Sequence, residues 1–182
     1  MDGLKIISVK ENKTSGYPAY TLLFLSFGVC GFLLFLHSLE SVRFGGLGVW
    51  LVAAGSTIVN WYIFGCRRKW FRGFLLAEGV LCCFYVLIFQ NAIRSQGSYI
   101  IRSLLRQDGL PVTDVTAAAV LAAFILPVVF LVLEFILGCH WFLYLLTSAL
   151  LLLSPLFGIR TDIKTVLALF LFQVMFWTMT MT

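Results

Sequence analysis

Charged residues are scarce in this chain, and their scarcity excludes an ordinary soluble domain. Only 12% of the 182 residues are charged and 61% are hydrophobic, whereas soluble domains are roughly 25% charged and about half apolar. Long uncharged runs alternate with short polar stretches, and the runs lack the two-residue alternation of barrel strands. The composition therefore predicts an all-α, multi-pass integral membrane protein, for which lipid is the solvent of most of the chain.

Six apolar runs are long enough to cross a bilayer as helices, which requires about 20 residues each. A polar N-terminal tail at 1–19 precedes a single predicted transmembrane helical bundle over 20–182. No small-x-small cleavage site follows the first run, so we expect an uncleaved helix there. Pro127 lies in the middle of the fourth run, where it predicts a kink because proline removes a backbone hydrogen bond. The six predicted spans are 20–37, 46–65, 73–90, 117–138, 141–157 and 165–182.

The stretch between the third and fourth spans predicts a helix that lies on the membrane surface over about 93–108. Arg94, Arg102 and Arg106 are separated by multiples of four residues and share one helical face. The apolar residues of the stretch are expected on another face: Ile100, Ile101, Leu104 and Leu105. This separation is typical of an interfacial amphipathic helix, with its apolar face in the membrane and its arginines toward lipid phosphates or water. A helix that lies on the membrane for packing only is the favoured role, and binding of lipid or of a partner is the alternative.

The positions of lysine and arginine predict an orientation with the N-terminus in the cytoplasm. The inner side then holds seven basic residues: Lys5, Lys10, Lys13, Arg67, Arg68, Lys69 and Arg72. The outer side holds six: Arg43, Arg94, Arg102, Arg106, Arg160 and Lys164. These counts nearly tie, and the density of the cluster at 67–72 decides for the inner side. Because the basic residues flank apolar runs, the net charge of +5 indicates a membrane surface and not nucleic acid as the partner.

Acidic residues within the predicted spans are few, and they are the default candidates for function in a membrane protein. Glu78 lies in the third span and Glu134 near the end of the fourth, both toward the inner boundary. At the same depth lies a basic cluster whose members are Arg67, Arg68, Lys69 and Arg72. We therefore predict an ion pair between Glu134 and this cluster. A proton- or cation-coupled site at Glu78 and Glu134 is the alternative.

No arrangement typical of catalysis or metal binding occurs in the sequence. His37 and Glu40 share a helical face but supply only half of a metal site. Cys139 and His140 are adjacent, and neighbouring positions on a helix do not face each other. The sequence therefore predicts no cofactor, no metal and no enzymatic activity for this chain.

Several general features resemble the N-terminal membrane region of bacterial transglutaminase-like membrane proteins. They are the short basic and polar tail, the early helical hairpin, the Arg-rich loop at 67–72 and the closely spaced Leu-rich later spans. In that family, a bundle of hydrophobic helices precedes an extracytoplasmic cysteine-protease-like domain. The resemblance implies that any catalytic domain lies beyond residue 182, and the uncharged end of the last run also leads us to expect a longer native chain. An even number of spans from an inner N-terminus would end inside, which departs from the family pattern.

Three functions are compatible with these features. The first is a non-catalytic module that anchors or scaffolds a larger membrane protein or complex, with the lipid bilayer, other membrane subunits or a C-terminal domain as partners. The second is a small-molecule transporter or substrate-capture subunit with a pocket between spans. The third, an intramembrane enzyme, has no catalytic constellation to support it. A transport pocket would draw on the polar residues of the spans: Asn60, Glu78, Gln90, Glu134 and Gln173.

Overall fold

A computed structural model describes five stretches of the chain, and nearly all of their residues are helical. The stretches are 18–66, 71–105, 110–137, 140–156 and 161–180. Their helices are α1 (Pro18–His37), α2 (Gly46–Cys66), α3 (Phe71–Ile88), α4 (Gln90–Leu104), α5 (Thr116–Leu131), α6 (His140–Leu156) and α7 (Ile163–Thr180). A π-helical segment, Val132–Ile136, continues α5, and two two-residue strands are β1 (Val42–Arg43) and β2 (Thr113–Asp114). The all-α prediction is confirmed.

Three of the described helices are long and apolar enough to cross a membrane by themselves, over Tyr20–His37, Gly46–Phe64 and Thr116–Glu134. Helices α3 and α4 are long and apolar enough to cross a membrane only if they are taken together as one bent segment. The angle between them is 89°. The apolar parts of α6 and α7, Trp141–Leu152 and Ile163–Met175, are shorter than a full span. The described chain therefore has three or four candidate spans, which is compatible with a membrane protein but fewer than the six predicted.

Large apolar side chains cover the outside of the bundle. On α3, Leu76 is 73% exposed and Leu87 is 69% exposed, and on α7 Ile163 is 80% exposed. A soluble monomer rarely exposes contiguous apolar surface on this scale, because contact of that surface with water is unfavourable. The outer surface of these helices is therefore suited to lipid.

Three phenylalanines from different helices form the centre of the bundle. Phe24 of α1 stacks on Phe172 of α7, with ring centroids 4.6 Å apart. Phe130 of α5 packs against Phe172 at 5.4 Å and against the edge of Phe24 at 6.5 Å. Gly28 allows this close approach, because a Cβ there would lie 2.6 Å from ring carbons of Phe130 and Phe172. Helix α1 is thereby packed against α5 and α7, and it also contacts α2.

A short parallel ladder joins the segment after α1 to the segment before α5. Val42 pairs with Thr113 and Arg43 with Asp114. Next to the ladder, the Gly45 N–H donates to the Thr116 hydroxyl at 2.7 Å. These bonds fix the beginnings of α2 and α5 relative to each other, although 71 residues separate Gly45 from Thr116.

A helix is present over most of the stretch predicted to lie on the membrane surface, but it begins earlier than expected. It starts at Gln90, so that only Phe89 separates it from α3, and no residue of α4 is fully buried. Arg94 and Arg102 are exposed, whereas Arg106 lies outside the described residues.

The expected apolar face of α4 needs a correction. Ile100 and Leu104 are half-buried against the protein core, whereas Ile101 and Leu105 are exposed on the side of Arg94. Consecutive helical residues point about 100° apart, so these four side chains cannot all face the same surroundings. Half of the apolar set covers the bundle, and only the other half is available to lipid.

Candidate functional site

The most buried polar side chains of the described chain include four that lie on the paired helices α2 and α3. Asn60 is 0% exposed and Glu78 is 4% exposed, and Ser56 and Thr57 are also buried. Ser56 and Asn60 are four residues apart and so lie one above the other on α2. Buried polar groups in an apolar bundle are costly unless they are hydrogen-bonded, which makes their partners informative.

A chain of hydrogen bonds links three helices through these residues. The Asn60 side-chain amide donates to Glu78 Oε1 at 3.1 Å, which joins α2 to α3. It also donates to the Ser56 backbone carbonyl at 3.0 Å, which fixes the orientation of the amide. The Ser56 hydroxyl donates in turn to the backbone carbonyl of Phe124 on α5 at 3.1 Å.

The bond from Ser56 reaches α5 at the turn that Pro127 weakens. Because Pro127 has no N–H, the carbonyl of Ala123 loses its usual helical donor four residues later. Phe124 follows Ala123 directly, and α5 changes to π-helical hydrogen bonding at Val132. Irregular turns of this kind are frequent at functional sites in helices.

Two oxygen atoms of this cluster have no hydrogen-bond partner within the described residues. They are Asn60 Oδ1 and Glu78 Oε2, and both atoms are buried. An amide oxygen and a carboxylate oxygen are both acceptors, so they cannot satisfy each other. The cluster therefore offers two acceptor atoms to a group that brings a donor or a positive charge.

The cluster lies inside the helices and away from their ends. Asn60 lies six residues before the end of α2, and Glu78 lies seven residues after the start of α3. At about 1.5 Å per residue, each side chain is roughly 10 Å from its helix end. The sequence predicted Glu78 within a span, toward its inner boundary, but did not predict the bond to Asn60.

A signal for the bond was present in the sequence. Asn60 lies nine residues before Lys69 and Glu78 lies nine residues after it. In an antiparallel helical hairpin, residues equally distant from the turn reach the same depth. This spacing could have placed the two polar residues at one level of the bundle, but it does not determine whether their side chains face each other.

Glu134 is the other acidic residue predicted within a span, and it is 6% exposed. It lies in the π-helical segment after α5. Of its predicted partners, Arg67, Arg68 and Lys69 lie outside the described residues, and Arg72 is exposed in the first turn of α3. The ion pair between Glu134 and this cluster stays a prediction.

The polar residues proposed for a transport pocket do not converge. Gln173 of α7 donates to the hydroxyls of Thr147 at 3.2 Å and Ser148 at 2.8 Å, both on α6. Gln90 is exposed at the bend between α3 and α4. The structure therefore places Asn60 with Glu78 and uses Gln173 in a separate contact between helices.

A cavity of about 280 Å³ lies between α1 and α2. Its walls are mainly apolar, with Ser26, Cys30 and Thr57 as the more polar side chains. The His37 ring packs against Phe44, with centroids 5.2 Å apart, while Glu40 is exposed. Among the described residues, no three His, Cys, Asp or Glu side chains are grouped as a metal site would require.

Comparison of the chain with protein-family models, curated proteins and solved structures gives no match. The resemblance to transglutaminase-like membrane proteins therefore stays a prediction, and function has to be argued from the helices themselves.

Proposed function

We propose that this chain is an integral membrane module that crosses the bilayer six times and anchors or scaffolds a larger membrane protein or complex. The crossing segments are α1, α2, α3, α5 with its π-helical segment, α6 and α7. The observation that carries the proposal is the apolar exposed surface of α3, α6 and α7, where Leu76, Leu145 and Phe170 are all more than half exposed. Lipid is the partner that such a surface fits best.

Helix length supports a crossing role for the shorter apolar helices. Helix α6 has 17 residues and α7 has 18. At about 1.5 Å per residue they span roughly 26 Å, close to the thickness of about 30 Å of a hydrocarbon core. A small mismatch of this size is accommodated by local thinning of the bilayer or by flanking side chains.

The right angle between α3 and α4 supports a surface position for α4. If α3 crosses the membrane, a helix at 89° to it runs along the interface. Arg94 and Arg102 are exposed and can extend to lipid phosphates, while Ile101 and Leu105 are available to acyl chains. In the proposed orientation, the N-terminus and the start of α3 lie on the cytoplasmic side of a bacterial cell membrane.

An anchoring role fits the interior of the bundle better than transport does. The centre is filled by the rings of Phe24, Phe130 and Phe172, and Gln173 is used between α6 and α7. Transport or substrate capture is a second candidate, favoured by one observation, the buried cluster of Ser56, Asn60 and Glu78.

Accessibility labelling of single cysteines tests the crossings that precede α7. In a variant whose five native cysteines are replaced, we would introduce Glu40→Cys, Arg72→Cys or Asp162→Cys, all at exposed positions. A membrane-impermeant maleimide should label positions 40 and 162 in intact cells, and position 72 only after permeabilisation. The cysteine-free parent measures background labelling. Labelling of position 162 on the same side as position 72 would contradict a crossing by each of α3, α5 and α6.

A further inference from the structure

We propose that Asn60 and Glu78 form a buried binding site for one small monovalent cation, an alkali-metal ion or a protonated primary amine. The proposal rests on the proposed placement of α2 and α3 in the membrane, and the labelling of position 72 tests that placement separately. It does not depend on whether α6 and α7 cross.

Two buried acceptor atoms of the site lack a hydrogen-bond donor. Glu78 Oε2 and Asn60 Oδ1 are buried and have no hydrogen-bond partner within the described residues. Their side chains are 96% or more buried, since Glu78 is 4% exposed and Asn60 0%. Burial of acceptors without donors is unfavourable. A cation provides what both atoms lack, either as a metal ion that oxygen coordinates or as the N–H donors of an ammonium group.

The Glu78 carboxylate gives the site a negative charge. A carboxylate within a membrane span usually pairs with a cation or marks an ion pathway. Basic side chains on the neighbouring elements point away from it: Arg72 at the start of α3 is exposed, and so are Arg94 and Arg102 on α4. The other titratable neighbours are not cations: Cys82 lies one turn further along α3, and the Tyr85 hydroxyl donates to the Ala117 carbonyl. Among the described residues, no basic side chain is placed to neutralise Glu78, and we infer that a cation from solution provides the positive charge.

Hydrogen bonds fix the position of the acceptor atoms. The Asn60 amide group donates to both the Ser56 carbonyl and Glu78 Oε1, so its own oxygen has a fixed direction. Ser56 is itself bonded to Phe124 on α5. A site held by hydrogen bonds to rigid helices loses little conformational freedom when it binds a ligand.

The single carboxylate sets the charge of the ligand. Divalent cations in proteins are usually held by several carboxylates and many oxygen atoms. Here one carboxylate and one amide oxygen are available, which matches one positive charge. A sodium or potassium ion and a protonated amine share this chemistry, and the experiment separates them.

Thermal unfolding in defined salts tests the site. The full-length protein, reconstituted in lipid nanodiscs, would be heated in N-methylglucamine chloride and in the same buffer with sodium, potassium or methylammonium chloride, at constant ionic strength and pH. Tryptophan fluorescence follows unfolding. We expect one of the small cations to raise the midpoint saturably, by roughly 5 °C at about a hundredfold excess over its Kd. A response to sodium or potassium alone identifies a metal ion, and a response to methylammonium alone identifies an amine.

The variants decide whether the effect belongs to Glu78. Glu78→Gln keeps the size of the side chain and an oxygen that accepts from Asn60, but removes the charge, so the cation response should disappear. Glu40→Gln removes the same charge at an exposed position and should keep the full response. Asn60→Leu should weaken the response at least tenfold in apparent Kd, because one ligand oxygen is lost.

Three results would overturn the proposal. The first is a midpoint that is equal in all four salts, and the second is a response that Glu78→Gln retains. The third is a midpoint that depends on pH but not on cation, which would mean that a proton on Glu78 fills the role. Should Glu78→Gln fail to fold, equilibrium binding of radioactive sodium, rubidium and methylammonium to the wild-type protein replaces it. About one saturable ion per chain supports the site, and the absence of binding for all three rejects it.

Discussion

At the residue scale, Gly28 determines how closely three helices approach. A Cβ at this position would lie 2.6 Å from ring carbons of both Phe130 and Phe172, which is well inside van der Waals contact. The rings also pack on each other at 5.4 Å, so neither can retreat without disturbing the other. Small residues serve this purpose in membrane bundles, where packing replaces the hydrophobic effect as the force between helices.

The first prediction at this scale is that Gly28→Ala destabilises the protein. Overpacking of this kind typically costs about 1–3 kcal/mol, which would lower the unfolding midpoint in nanodiscs by several degrees. Gly55→Ala is a matched control, because a Cβ at Gly55 of α2 meets no atom within 4 Å. It should be neutral or slightly stabilising, since alanine favours helix by up to about 1 kcal/mol over glycine. Equal midpoints for the two variants would contradict the packing of α1 against α5 and α7.

At the element scale, the ladder of β1 and β2 and the bend before α4 organise one end of the bundle. The Val115 N–H donates to the Arg43 carbonyl at 2.7 Å and the Thr113 N–H to the Ser41 carbonyl at 2.9 Å. Gln96 of α4 accepts from the Ala118 N–H at 2.9 Å, which satisfies one of the free donors at the start of α5. Helix α4 is therefore attached to α5 by a polar contact as well as by its half-buried apolar side.

Disulfide formation tests the register of this ladder. In the cysteine-free background, Val42→Cys with Thr113→Cys places the two thiols on paired residues of adjacent strands. Adjacent strands lie about 4.8 Å apart, which is within the Cα range of about 4.4–6.8 Å that a disulfide allows. We expect rapid cross-linking on mild oxidation, seen as a mobility change on non-reducing gels. Val42→Cys with Asp114→Cys shifts one thiol to the other side of the strand and should react much more slowly. Faster reaction of this second pair would mean that the register is wrong.

At the scale of the whole molecule, the bundle separates a filled interior from an apolar outside. The interior contains the phenylalanine cluster and the bond from Asn60 to Glu78, and the outside presents side chains such as Leu87 of α3. An anchoring module needs such a surface, because both lipid and other membrane subunits pack on apolar helices.

Association with other subunits is the prediction that belongs to this scale. Native electrophoresis of membranes solubilised in a mild detergent should show the 20.5 kDa chain in a complex larger than the purified chain in the same detergent. The physical reason is that the exposed face of α3 packs on further helices when they are present. The purified chain run alongside gives the mobility of the chain without partners. Identical mobility in both samples would contradict the anchoring role and favour an isolated protein.

The sequence by itself determined the helical class, because a chain with 12% charge and long uncharged runs has to satisfy its backbone hydrogen bonds within helices. It also predicted the approximate helix positions and the polar surface of α4, since both depend on local periodicity. The tertiary structure decided which helical faces meet. Periodicity places Ile100 and Ile101 on neighbouring faces, but only the packing of α4 on α5 buries the first and exposes the second. The pairing of Asn60 with Glu78 was decided in the same way, because equal distance from a turn sets the depth of a side chain, whereas the rotation of each helix against its neighbours sets its contacts.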